Sequence, residues 1–205
     1  MRTVSLDRTR IVDEAVALLD SEGLDGVTLR KLAARLGVQA PTLYWHLPNK
    51  AALVTAIAEA IVPDPTPPAP DQPWQDWLRD FAHQLRTALI AHPDGARIVS
   101  MAQLSRQTAA WSELAMSVLA DRGVALRDAR IIVLTVERFT VGHVLEEQSP
   151  PPDTAAFDLN QYAATYPVTV RAITEYFAPG RNVDDLFSDC LETVLAGAVA
   201  IAETP

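Results

Sequence analysis

Cysteine is almost missing: one residue, Cys190, stands in a chain of 205. No intrachain disulfide and no cysteine-rich metal site can form, and a reducing cytoplasm is the expected compartment. Long apolar runs are also lacking. No stretch approaches the ~18–20 apolar residues of a membrane span, so no membrane partner is expected. The first residues, Met1-Arg2-Thr3-Val4-Ser5-Leu6-Asp7, carry no apolar signal-peptide region. Catalytic signatures are absent as well: there is no Gly-x-Ser-x-Gly elbow, phosphate loop, zinc helix or dinucleotide fingerprint. The four histidines, His46, His83, His92 and His143, do not assemble such a motif with Cys190, which lies in a strongly apolar helix. An enzyme is not expected. No segment alternates like a strand, and no repeat has a solenoid period.

Positive charge is scarce overall, with 17 Lys and Arg against 26 Asp and Glu and a net charge of −9. Its distribution is uneven. Residues 1–50 hold seven basic residues (Arg2, Arg8, Arg10, Arg30, Lys31, Arg35, Lys50) and six acidic ones, whereas residues 51–205 hold ten and twenty. The acidic part repels phosphate, so any contact with nucleic acid must come from the first fifty residues.

What is present is helical periodicity. Residues 6–22 place Ile11, Ala15, Leu18 and Leu19 on one stripe, with Asp7 near the positive end. Gly23-Leu24-Asp25-Gly26 stops that helix. Thr28 is the expected N-cap of a second helix with Leu29, Leu32, Ala33 and Leu36 inward, and Gly37 closes it. After the turn Val38-Gln39 comes a short helix over 40–46, with Pro41 in its first turn. Only Leu43 and Leu47 are aliphatic anchors there; Thr42, Tyr44, Trp45 and His46 are left for a partner, and such side chains suit phosphate oxygens and base edges. A helix this short is marginal alone. Helix, glycine-containing turn and short second helix form the helix-turn-helix plan. Asn49 is the expected cap of a fourth helix built on Leu53, Ile57 and Ile61; Lys50 at its start opposes the macrodipole, a placement that fits a phosphate contact.

The proline-rich segment 63–73 cannot be helical and separates the two parts. The expected division is a helix-turn-helix domain at 1–50 and a helical ligand-binding and dimerisation domain at 51–205. Helices are expected near 73–91, 94–103, 105–122, 126–147, 159–178 and 183–203, about nine to ten in all, so the fold class is all-α. Segments 126–147 and 183–203 are apolar around most of their circumference, and Gly197 with Ala196, Ala198 and Ala200 permits close approach of another helix. Pairing of two helices from each of two subunits would cover them, and a homodimer is expected.

The strings Thr28-Leu29-Arg30-Lys31-Leu32-Ala33-Ala34-Arg35-Leu36-Gly37-Val38, Pro41-Thr42-Leu43-Tyr44-Trp45-His46 and Asn49-Lys50 resemble the tetracycline-repressor (TetR) family. The likeness continues through Trp74-Gln75-Asp76, Asp94-Gly95-Ala96-Arg97, Leu126-Arg127-Asp128 and the stretch from Phe139 to Glu146. It implies an all-α homodimeric repressor of a double-stranded, palindromic operator, released when a small molecule enters the C-terminal body. Two heads would have to match half-sites about 34–36 Å apart. By resemblance, Arg30 reaches a guanine, Pro41 and Thr42 meet thymine methyls, and Thr28, Tyr44 and Lys50 contact phosphates. Trp45 and His46 end the reading helix, and Tyr44 and Trp45 either pack in the head or face DNA. Ala40 and Gln39 replace the family's Gln and Glu, which implies a different operator, with Gln39 taking over some base reading.

For the ligand, the resemblance argues against tetracycline. The metal-binding His of the drug-binding relatives corresponds to Val99, and their polar contacts correspond to Thr66 and Phe81; only Glu146 persists. His143, Glu146 and Glu147 have metal-compatible spacing, but such a trio is more often a solvated helix end. Neither metal nor cofactor is expected. The expected ligand-binding residues are His83, Leu85, Met101, Gln103, Trp111, Met116, Val133, Leu134, Glu137 and Phe139. Glu137, inside the apolar run 131–137, is either paired with Arg97 or Arg138 or the anchor of a cationic or hydroxylated ligand. A regulator answering to a protein partner, or to no ligand, is the alternative; a cavity of several hundred Å³ would count against it.

Overall fold

The protein is seen in a computed structural model that describes residues 6–102, 105–150, 158–178 and 180–203. Eleven helices and no strand occur among the described residues. The first four are α1 (Arg8–Gly26), α2 (Leu29–Leu36), α3 (Ala40–Tyr44) and α4 (Lys50–Ile61). Local chemistry sets their ends. The Asp7 carboxylate accepts from the Arg10 N–H at 2.9 Å, Thr28 Oγ1 from Lys31 N–H at 3.2 Å and Asn49 Oδ1 from Ala52 N–H at 2.8 Å. Gly23, at φ 67°, kinks α1, so its last turn runs on to Gly26 in a new direction. Gly37 sits in the left-handed region at φ 68°, where glycine alone bears no Cβ penalty.

The body comprises α5 (Trp74–Ile90), α6 (Gly95–Met101), α7 (Arg106–Asp121), α8 (Leu126–Glu147), α9 (Leu159–Thr165), α10 (Pro167–Phe177) and α11 (Val183–Ala202). Helix α8 is central and packs against α5, α6, α7 and α11, which explains its all-round apolar sequence. The expected single helix over 159–178 is two. Pro167 lacks an N–H and disfavours helical backbone at Tyr166, so α9 ends there and α10 starts at the proline; this break raises the helix count above nine to ten. Helix α10 buries none of its residues, and Val168 and Ile173 are exposed.

The proline-rich segment is held by indoles. Trp77 Nε1 donates to the Thr66 carbonyl at 2.9 Å and Trp111 Nε1 to the Pro63 carbonyl at 2.8 Å. Its carbonyls accept where prolines leave few N–H groups to compete. Between α5, α8 and α11, the Arg86 guanidinium donates to Glu147 at 2.7 Å and Asp184 at 2.6 Å and lies 4.9 Å from the centre of the Phe187 ring. The rings of His83, Phe139 and His143 surround that same phenyl group.

Candidate functional site

The head presents one short helix outward. Leu43 and Leu47 are fully buried and anchor α3 on its neighbours. The other face is bare: Gln39, Pro41, Thr42, Tyr44 and Trp45 are exposed, and Ala40 and His46 are half-buried. Trp45 is 91% exposed. It follows α3 as the C-cap residue, so the helix ends at Tyr44 rather than at 46, and the indole does not pack in the head. Arg30 and Lys50 are exposed and make no ion pair among the described residues. The other basic residues of α2 are occupied: Lys31 pairs with Glu22, and Arg35 with Glu14 at 2.9 Å. The cations left over stand in the first turns of α2 and α4, the helices on either side of α3 in the chain, while Thr28 is half-buried and spends its hydroxyl on the cap.

A polar joint ties α1 to the start of α6, while α4 packs on α6 and α7. Leu24 N–H donates to Asp94 Oδ2 at 2.9 Å, and His92 Nδ1 meets Asp20 Oδ1 at 2.7 Å. Gln148, just beyond α8, donates to the Leu89 and His92 carbonyls at 2.9 and 2.8 Å and accepts from Ala96 N–H at 3.1 Å. Gly95 is required here, since a Cβ would lie 2.3 Å from the Leu89 carbonyl oxygen. Arg97, a candidate partner of Glu137 in the sequence, points instead toward Asp25 and Asp94 at 3.6 and 3.7 Å.

A cavity opens between α7 and α8, with α6 at its end. Its outer compartment measures about 680 Å³, and a narrow inner crevice of about 20 Å³ has room for little more than a water. Phe81, Leu85, Val99, Trp111 and Val133 wall the crevice. Met116, Leu134, Val141 and Leu145 supply the apolar part of the outer compartment, with Arg130 and Arg138 beside them. Glu137 lines both. Of the expected ligand residues, Leu85, Trp111, Met116, Val133, Leu134 and Glu137 are therefore brought together. His83 and Phe139 are not: they turn to the Phe187 ring. Met101 is exposed at the end of α6, and Gln103 lies outside the described residues. The His143 trio does not converge as a set either: His143 meets Glu147 at 3.4 Å, but Arg86 also holds Glu147, and Glu146 is exposed.

Sequence reasoning passes over Val62, Thr108, Ser112, Arg130 and Val141 as cavity residues. The available signal was spacing. Arg130, Leu134, Glu137, Arg138, Val141 and Leu145 recur at i, i+4, i+7, i+8, i+11 and i+15, one face of α8.

Glu137 has no hydrogen-bond or ion-pair partner among the described residues, so both pairings expected for it fail. Burial raises its pKa, opposed through space by the Arg138 charge. A carboxyl whose folded pKa lies above its unfolded one helps folding below the unfolded value and loses that contribution as pH rises through the folded value. Glu137→Gln is therefore expected to raise the melting temperature near pH 7 and to leave it unchanged near pH 4. Equal shifts at both pH values, in scanning fluorimetry, would contradict this.

Two family models match consecutive parts of the chain. "Bacterial regulatory proteins, tetR family" covers residues 11–57, and "Tetracyclin repressor-like, C-terminal domain" covers residues 66–201. The chain belongs to the TetR family. It is 39% identical over 152 residues to the class E tetracycline repressor protein of Escherichia coli, covering 73% of this chain and 71% of that one. Its fold matches that of ActR from Streptomyces coelicolor in complex with actinorhodin, with a TM-score of 0.80, 28% identity and coverage of 98% and 100%. It also matches a TetR variant from Acinetobacter baumannii AYE in complex with minocycline, with a TM-score of 0.76, 30% identity and coverage of 98% and 100%. TetR proteins are DNA-binding transcriptional repressors, not enzymes, and typically act as homodimers. This one is a DNA-binding regulator with a C-terminal ligand-binding domain. None of its helices among the described residues is long and apolar enough to cross a membrane.

Proposed function

We propose that this TetR protein represses transcription as a homodimer on a palindromic operator and leaves DNA when a small molecule fills the α7–α8 cavity. The observation that carries this is α3: a helix of five residues that buries only Leu43 and exposes Pro41, Thr42 and Tyr44, between two helices that each begin with an unpaired cation. Residues 1–50 serve as the reading head and 51–205 as the ligand-binding and pairing body. Arg30, Gln39, Ala40, Pro41 and Thr42 face bases; Thr28, Tyr44, Trp45, His46 and Lys50 lie at the sugar-phosphate edge. Pairing is supported by apolar surface left over after folding. A Cβ on Gly197 would meet nothing in its own chain, Ile131 and Ile201 are exposed, and α10 finds no burial in its own subunit.

Control by a ligand is supported by a cavity within the ~300–1,000 Å³ range of small-molecule sites. Solved neighbours hold actinorhodin and minocycline, so the architecture accommodates more than one organic molecule. Glu137, half-buried and unpaired, would hydrogen-bond the effector. Helix α6 gives the cavity Val99 and Ser100 and at its other end meets the joint with α1. Displacing α6 therefore shifts the heads, and a ligand preferring the shifted state by roughly 1–3 kcal/mol weakens DNA binding by the same amount.

The test is a band-shift series on two-fold symmetric duplexes selected from a random pool. Lys50→Ala is expected to weaken all duplexes similarly and to lower the log–log salt slope by about 1. Arg30→Ala is expected to relax one operator position by about 1–3 kcal/mol. A monomer in solution, or no preference for any symmetric duplex at low ionic strength, would overturn the proposal.

A further inference from the structure

The cavity's chemistry can be taken further, resting on the reading that an effector binds there. Arginines in the body are generally neutralised. Arg79 pairs with Asp76 and Glu192, Arg86 with Glu147 and Asp184, Arg97 with Asp25 and Asp94, Arg106 with Glu59, Arg127 with Asp128, Arg171 with Glu175 and Arg181 with Asp189. Of the ten arginines after residue 50, only Arg122, Arg130 and Arg138 have no ion pair among the described residues. Two of those three line the outer compartment.

That pattern is unexpected in a part of the chain with twenty acidic residues. Such a body repels anions everywhere except beside an unmatched cation. Arg130 and Arg138 are two helical turns apart on α8, about 12 Å along its axis, and Leu134 lies between them on the same face. Glu113, on α7, also lines the compartment and pairs with neither arginine among the described residues. Glu137, between the two arginines in sequence, meets Arg138 only through space. The rest of this wall is apolar: Met116, Leu134, Val141 and Leu145. A purely apolar ligand would leave both guanidinium groups unused, since neither is spent on a carboxylate of the lining.

We infer that the effector is an amphipathic aromatic acid, whose ring system lies on the apolar wall between α7 and α8 and whose anionic group is taken by Arg130 and Arg138. Guanidinium groups suit it because they pair with planar carboxylates or sulfonates through two N–H donors. Glu137 faces the ring system, where its carboxyl oxygens accept a hydrogen bond from a ring hydroxyl.

A matched pair of dyes tests this on the full-length protein. 1-Anilinonaphthalene-8-sulfonate and N-phenyl-1-naphthylamine share a ring system and differ in the sulfonate. Fluorescence titration is expected to show the sulfonate binding about tenfold more tightly at low salt, a difference of about 1.4 kcal/mol, with the advantage shrinking as salt rises. Arg130→Gln with Arg138→Gln should erase that advantage and leave the neutral dye unaffected. Ala109→Trp, which fills the opening from an exposed position on α7, should weaken both. If Ala109→Trp weakens both dyes but the sulfonate has no advantage, or keeps it without the arginines, the cavity binds ligands and the acid assignment is wrong. If neither dye responds to Ala109→Trp, the effector cavity itself, and this inference with it, is overturned.

Discussion

Arg86→Ala is expected to lower the unfolding free energy by about 3–5 kcal/mol, the usual cost of stripping one partner from a buried ion pair. The Arg86 and Glu147 side chains are each only 13% exposed. The guanidinium joins three helices: it sits on α5, bonds Glu147 on α8 and Asp184 on α11, and lies over the α11 phenyl ring. Its removal leaves the mostly buried Glu147 carboxylate with the His143 ring nitrogen, at 3.4 Å, as its remaining close polar neighbour. The double change Arg86→Met with Glu147→Leu removes both charges and keeps the volume, and should recover most of the loss. Urea denaturation of the single and double variants checks this. A single-variant loss below about 1 kcal/mol would mean that the pair is solvent-screened, as surface pairs are.

Leu43→Ala has the second large expected effect, and it is local. Leu43 is fully buried and is the only buried residue of α3. Truncating such a leucine costs about 2–5 kcal/mol. A helix of five residues has little other hold: Leu47 just beyond it, and the half-buried Val38 and Ala40. DNA binding should vanish at concentrations that saturate the parent protein, while the body keeps its helical circular dichroism and its cavity. Leu43→Met, which conserves volume, should cost less than about 1.5 kcal/mol and keep DNA binding. Intact DNA affinity in the alanine variant would show that α3 is held by something other than its leucines.

The head was legible in the sequence because local chemistry specifies it. Asp7, Thr28 and Asn49 cap the helices they precede, Gly37 adopts the left-handed turn, and the i, i+4 pair Leu43 and Leu47 turns inward. The break at Pro167 was also written in the chain, but the surrounding helical periodicity outweighed it. The cavity was only partly legible. Periodicity says which residues share a face of α8, not what lies opposite that face. Phe187, on a helix distant in sequence, draws His83 and Phe139 away from the cavity. Asp25 and Asp94 draw Arg97 to the joint, and that encounter between α1 and α6 has no local signal. Arg130 carried no signal of its own, because exposure at a cavity mouth and exposure on an outer face have the same periodicity.

The bare indole at the end of the reading helix makes the protein its own optical gauge. The chain has four tryptophans; Trp74, Trp77 and Trp111 are shut in the body, whereas Trp45 stands in water. Iodide in solution meets Trp45 and is kept from the others, so quenchable emission comes from the head alone. Contact with a duplex would screen that one fluorophore, and a molecule settling beside Trp111 would disturb another. Occupancy of the two ends can thus be followed separately in one unlabelled sample.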